Sequence, residues 1–250
     1  TTDETDRGYV EGGGPYEYGT TATITAYPYD GYMVKCWVHG EDTLYGESID
    51  LIANHQTCGY GNGFTALFIP SSVNVYISQY DTTMVASFVD HNGNLLEPNI
   101  NYTYAGDENI ELNAIAKPGY EVYLDIYNSE WYWIASTDWP YTAEKHFSIR
   151  PEQDIIVNLS SRGIPVEVTV TAESGQTIGS GSYRYNDMVN IAVAPERDYK
   201  FVGWEDDENA GNFRTVTVTS DTTFTAIVEP IICLPDTEFV HDTTYVDSLI

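Results

Sequence analysis

Residues Tyr183 to Trp204 read YRYNDMVNIAVAPERDYKFVGW. A tyrosine-flanked turn leads into an alternating strand that puts Val189, Ile191 and Val193 on one face. Pro195 turns the chain, and a second strand ends at Gly203-Trp204. Period-two alternation bounded by turn residues is the signature of half-buried strands. A second version runs from Tyr16 to Trp37, YEYGTTATITAYPYDGYMVKCW. Tyr185 to Pro195 is ten residues, as is Tyr18 to Pro28; Tyr199 to Trp204 is five, as is Tyr32 to Trp37. A looser version spans Tyr102 to Val122. An internal repeat settles architecture before any single motif does. It predicts an all-β fold: three tandem small antiparallel β modules in an elongated array, followed by a C-terminal β-prone tail.

Working outward, residues 1–7 are polar and expected to be mobile. Repeat 1 is expected over 8–79, with an insert at 39–63 rich in Gly, His and Asn. Phe64 to Ser78 reads as a closing hairpin about Pro70-Ser-Ser. Repeat 2 is expected over 83–162, opening at Met84 to Val89 and closing at Phe147 to Leu159. Repeat 3 is expected over 163–229, opening with the strictly alternating VEVTVT from Val166. Residues 230–250 form the tail.

The 250 residues carry 38 acidic and 10 basic side chains, a formal charge of −28. Phosphate contacts need Lys and Arg, so nucleic acid is excluded as a partner, and an anionic membrane surface is disfavoured. No apolar run is long enough for insertion into a bilayer. The acid excess suits solubility, cation association or life outside the cell, and the 21 tyrosines favour strands. The chain begins at Thr1 rather than Met, which fits removal of an N-terminal segment; natural processing and an arbitrary boundary both stay open. Of three cysteines, Cys36 and Cys58 are a candidate disulfide and Cys233 is left over, with buried thiols as the other reading.

The matching residues VEVTVTA, GSGSYRYNDMVNIAVAP, YKFVGW and VTVTSDTTFTAIV of repeat 3 resemble the divergent internalin-type B repeats of bacterial surface proteins. Repeat 1 departs at Val34-Lys35-Cys36, where the family's Phe and Gly are missing, and repeat 2 loses the Gly-Trp. The resemblance implies β modules of secreted or surface-displayed proteins and no catalytic residues. Tyr32, Trp37, Tyr120, Tyr199, Phe201 and Trp204 are expected to be module core, since units this small need large aromatic anchors.

Counting locates a second feature. Val166 stands seventeen residues before Tyr183, and Val85 stands seventeen before Tyr102; the same offset from Tyr16 falls before residue 1. Repeat 1 is therefore expected to lack its opening strand. The tail, with Phe239, Val240, Thr243, Tyr245, Val246 and Leu249, is the candidate strand to fill that gap. Donated to the next copy, it would build a head-to-tail homopolymer, since such contacts do not close on themselves. The alternative is a non-polymeric stalk or adhesin that meets surface glycans or host proteins.

No Gly-x-Ser-x-Gly, His-Glu-x-x-His or phosphate loop is present, so no enzyme activity is expected. Trp131, Trp133, Trp139 and Tyr141 are candidate ligand aromatics for sugar rings. The competing expectation, and the favoured one, is that Trp131 and Trp133 face a core that has lost its Gly-Trp anchor. No cofactor is expected beyond calcium, for which Glu205, Asp206 and Asp207 are weak candidates. Asp90, Asn92 and Asn94 share the spacing of a calcium loop without its closing Glu.

Overall fold

The computed structural model describes residues 1–2, 6–57 and 63–232. All regular structure in them is β. The chain forms two compact units, one spanning Thr1–Ile164 and one beginning at Pro165.

The second unit is the cleanest module. Strands β15 (Pro165–Ala172), β17 (Gly181–Arg184), β19 (Tyr199–Trp204) and β21 (Thr222–Pro230) make one sheet, in the order β17-β15-β21-β19. Strands β16 (Gln176–Ile178), β18 (Met188–Ala194) and β20 (Phe213–Thr217) make the other, in the order β16-β18-β20. Val166, Val168 and Val170 from one sheet meet Val189, Ile191 and Val193 from the other around a fully buried Trp204. Alternation makes this possible, because inward residues recur every second position. Most pairings are antiparallel, but β15 runs parallel to β21.

The same plan recurs twice in the first unit. Its C-terminal half has β7 (Ser72–Ile77), β9 (Ile100–Ala105), β11 (Tyr120–Asn128), β12 (Trp133–Ser136) and β14 (Ile155–Gly163) in the order β12-β11-β14-β7-β9. Facing them is β13-β10-β8, from β8 (Val85–Asp90), β10 (Ile110–Ala116) and β13 (Glu144–Ile149). Strand β7 runs parallel to β14, as β15 does to β21. The N-terminal half has β1 (Gly8–Glu11), β2 (Thr21–Pro28) and β5 (Ser48–Ile52) in one sheet. Strands β3 (Tyr32–His39), β4 (Asp42–Leu44) and β6 (Thr65–Pro70) make the other.

Several sequence expectations change. Phe64 to Ser78 is not a hairpin: β6 closes the first module on β3, and β7 opens the second between β9 and β14. The segments 147–159 and 213–228 likewise divide between opposed sheets rather than folding as hairpins. The opening strand of the second module is therefore Ser72–Ile77, which moves the boundary from 79 back to about 71; β8 at Val85 takes the role of β16. Half of the expected 39–63 insert is module framework, since β5 pairs with β2 as β20 pairs with β18. The 1–7 segment is not wholly loose, because Thr2 bridges to Ala66.

Two motif residues acquire physical reasons. Tyr16 donates its hydroxyl to the Gly12 carbonyl at 2.5 Å, and Tyr183 does the same to Gly179 at 3.1 Å. Both glycines have positive φ, and a Cβ on either would run into the backbone of the central strand, 2.1 Å from Thr23 O or 2.7 Å from Asn190 O. Gly203 sits at a bulge in β19, where a Cβ would lie 2.8 Å from Glu208 O because the 205–210 turn folds back onto the strand. The first module has its bulge at Cys36, but its chain continues into β4 instead, so a side chain fits there.

Candidate functional site

The three modules differ most where the opening strand belongs. In the third, β15 lies between β21 and β17, with Ala172 opposite Ala226 and Val166 opposite Tyr183. In the second, β7 lies between β14 and β9. In the first, Trp37 pairs with Ala66 as Trp204 pairs with Ala226, which fixes the equivalence of β6 and β21. Thr2 stands opposite Ala66 in parallel, where Ala172 stands opposite Ala226. Among the described residues, only Thr1 and Thr2 occupy this lane. Gly14 to Glu17, the counterpart of β17, forms no strand. A β17-like strand needs a central strand to bond to.

A cavity of about 330 Å³ marks the place. Gly12 to Gly14 and Tyr16 line one side, Gly63 and Phe64 the other, and Ala22, Ile24, Trp37, Leu51 and Ala53 contribute apolar surface. Ala22 and Ala26 stand where the third module has Val189 and Val193. The first-module core is correspondingly small: Ala26, Trp37, Ile49, Ala66 and Phe68. The other modules add Val73, Val75 and Ile77, or Val166, Val168 and Val170, from the strand that is not seen here. The groove floor was not singled out from sequence, although the two Val-to-Ala differences were there to be counted.

The expected anchors divide. Trp37 and Trp204 are fully buried, each indole donating to a carbonyl: Gly46 at 2.9 Å and Gly211 at 2.8 Å. Tyr32, Tyr120, Tyr199 and Phe201 are half-buried. In the second module Leu124, opposite Leu159, takes the anchor's place.

Trp131 and Trp133 therefore do not face a core. They are 57% and 62% exposed, Tyr132 is 68% and Trp139 is 69%. Trp131 tilts against Tyr127, and Trp139 meets Tyr123 and Tyr141 edge-on. Tyr141 is half-buried, stacked on Tyr123 with the Arg162 guanidinium 3.9 Å from its ring centre. Burial raises the Asp125 carboxyl above its ordinary range, partly offset by a hydrogen bond from the Trp133 side chain.

The acidic candidates stay apart. Asp206 pairs with Arg214, and Asp207 caps the turn by accepting from Asn209 N at 3.1 Å. Asp90 is buried and already accepts from Asn92 N, Asn94 N, Asn94 Nδ2 and the Tyr104 hydroxyl, so its loop is an Asx-type turn rather than an open ligand set. Among the described residues no group of three His, Cys, Asp or Glu comes together to hold a metal. Cys36 is buried in β3; Cys58, Cys233 and the tail residues Phe239, Val240, Thr243, Tyr245, Val246 and Leu249 lie outside the described residues.

Residues 1–53 and 166–231 match the divergent InlB B-repeat domain. These two regions, just under half of the chain, are similar to B-repeat modules. This is a family of repeat modules of bacterial surface proteins, not an enzyme family. Among curated proteins no match was found. A solved structure, the Bacillus anthracis TIE protein, is similar over 83% of this chain and 44% of its own, at 8% identity and a TM-score of 0.31, too loose to carry an argument. No helix among the described residues is long and apolar enough to cross a membrane.

Proposed function

We propose that this protein is an extracellular subunit that assembles head to tail, with the first module accepting a β-strand from the C-terminal tail of another copy. The observation that carries this reading is the lane beside β6, where the parallel bridge between Thr2 and Ala66 marks a central strand's place and an apolar cavity lies next to it. Strand addition suits such a groove, since main-chain hydrogen bonds supply affinity and alternate side chains fill the pockets. Each apolar side chain seated there contributes ~1.5–3 kcal/mol, and each new backbone bond about 0.5–1.5 kcal/mol net.

The tail supports the role by length and composition. Residues 233–250 would reach roughly 60 Å if extended. They include β-formers at Phe239, Val240, Tyr245 and Val246. Donor and acceptor lie on different modules, so the contact is heterologous and extends into a fibre wherever its rotation does not close a ring.

The test is a labelled peptide covering 236–250, titrated into a chain ending at residue 232. Saturable binding is expected, and it should be lost when Ala22→Trp fills the groove. Absence of binding to the truncated chain, or binding indifferent to the substitution, refutes the donor assignment. In that case the lane takes a strand from elsewhere.

A further inference from the structure

The second module carries an exposed face that strand donation does not use. We infer that the aromatic face built from the 128–141 segment over β11 binds a neutral glycan. The inference is independent of the groove, which lies in another module.

Large rings in water are costly unless something covers them, and contiguous patches of this kind mark interaction surfaces. Here the rings are also held in place. The Asn128 side chain accepts from Glu130 N at 3.0 Å and Tyr132 N at 2.9 Å, while Asn128 N donates to Tyr132 O at 2.9 Å. This tight turn puts Trp131 at φ 65°, a left-handed conformation unfavourable for a bulky residue. Strain of this sort is held by the surrounding structure and clusters at binding sites. Trp139 is fixed against Tyr141, which Tyr123 and Arg162 in turn support. The rings are thus presented in advance of binding, which lowers the ordering cost of a complex.

The surrounding chemistry selects the ligand. A partner must offer flat C–H surface to the rings and hydroxyls to the polar groups between them, as a sugar does. Asn158 and Ser160 on β14 stand opposite Asp125 and Tyr123. Asn158 Nδ2 donates to Ser160 Oγ at 3.3 Å and its Oδ1 accepts from Ser78 Oγ at 2.9 Å, which leaves the second Asn158 amide hydrogen and the Ser160 hydroxyl proton to donate to a ligand. The two carboxylates on this face of β11 are engaged, Glu121 by Arg162 at 2.7 Å and Asp125 by Trp133, so a cationic peptide finds little to pair with there. At the rim, exposed Glu130 and Asp138 repel sulfated or sialylated chains. A neutral glycan is the occupant that fits both constraints.

The experiment screens the full chain against an array of neutral and anionic glycans, followed by tryptophan-fluorescence titration with the best neutral ligand. Trp131→Ala and Trp139→Ala should each weaken binding about tenfold. Ile178→Ala, at another exposed apolar residue in the third module, should leave it unchanged. Unchanged melting of the variants shows that the fold is intact. The inference is overturned if no neutral glycan binds, if only anionic ones do, or if both tryptophan variants bind as the parent does. It is also overturned if the double variant loses self-association in sedimentation and nothing else, which would assign the face to a second copy of the chain.

Discussion

Thr2 stands beside Ala66 in a parallel bridge, with Ala66 N donating to Thr1 O at 2.8 Å. That lane belongs to a module's central strand, and its neighbours behave accordingly. Gly14 to Glu17 stays irregular, while the matching Gly181–Arg184 is a strand. Filling the groove with a side chain should therefore block assembly without unfolding the module. Ala22→Trp, placed in the 330 Å³ cavity, is expected to leave or raise the melting temperature and to abolish polymer formation by light scattering.

Trp204 is the anchor of a module that folds as its own compact unit. Trp204→Ala should cost about 3–5 kcal/mol. In denaturant titration the loss is expected in one transition, with the first unit's transition unmoved. A uniform shift of both would contradict the division into units.

Gly203 tests the close approach rather than the burial. Gly203→Ala brings a Cβ to 2.8 Å from Glu208 O and 2.9 Å from Glu208 Cα, both backbone atoms. The expected cost is about 1–3 kcal/mol from forced backbone movement. Cys36→Ala at the equivalent bulge should be far milder, since no turn folds back there.

Asp90 gives the pH dependence. Burial pushes its carboxyl up, but the hydrogen bonds from Asn94, Tyr104 and Asn92 outweigh that and hold it below the ordinary value of 3.8. A depressed carboxyl stabilises the fold above its unfolded pKa, and that contribution is lost as pH falls through the folded one. The first unit should thus lose stability below about pH 4. Asp90→Asn should flatten this part of the profile. Asp90→Ala should cost about 1–3 kcal/mol at neutral pH, because it strands the buried Tyr104 hydroxyl.

The repeat was legible because period-two alternation and fixed offsets survive divergence. Strand partners were not. Pro70-Ser71-Ser72 looks like a hairpin turn, but β6 and β7 bond to different neighbours, and local sequence does not record which of two opposed sheets a strand enters. The count of seventeen back from Tyr102 landed on β8, which alternates as well as the true opener does. The alternation of Trp131 and Trp133 reads as inward-facing in a module without a Gly-Trp anchor, whereas Leu124 takes that place. The lane in the first module, with its Ala22 and Ala53 walls, needed the two sheets to be set face to face.

The central claim is that one copy's tail enters another copy's groove. Two defective chains test it together: one ending at residue 232, with an open groove and no tail, and one carrying Ala22→Trp, with a tail and a filled groove. Sedimentation velocity should show each alone as a monomer and their mixture as a 1:1 dimer that does not grow. A mixture that stays monomeric while the parent chain forms filaments, or a dimer formed by either chain alone, would contradict the account.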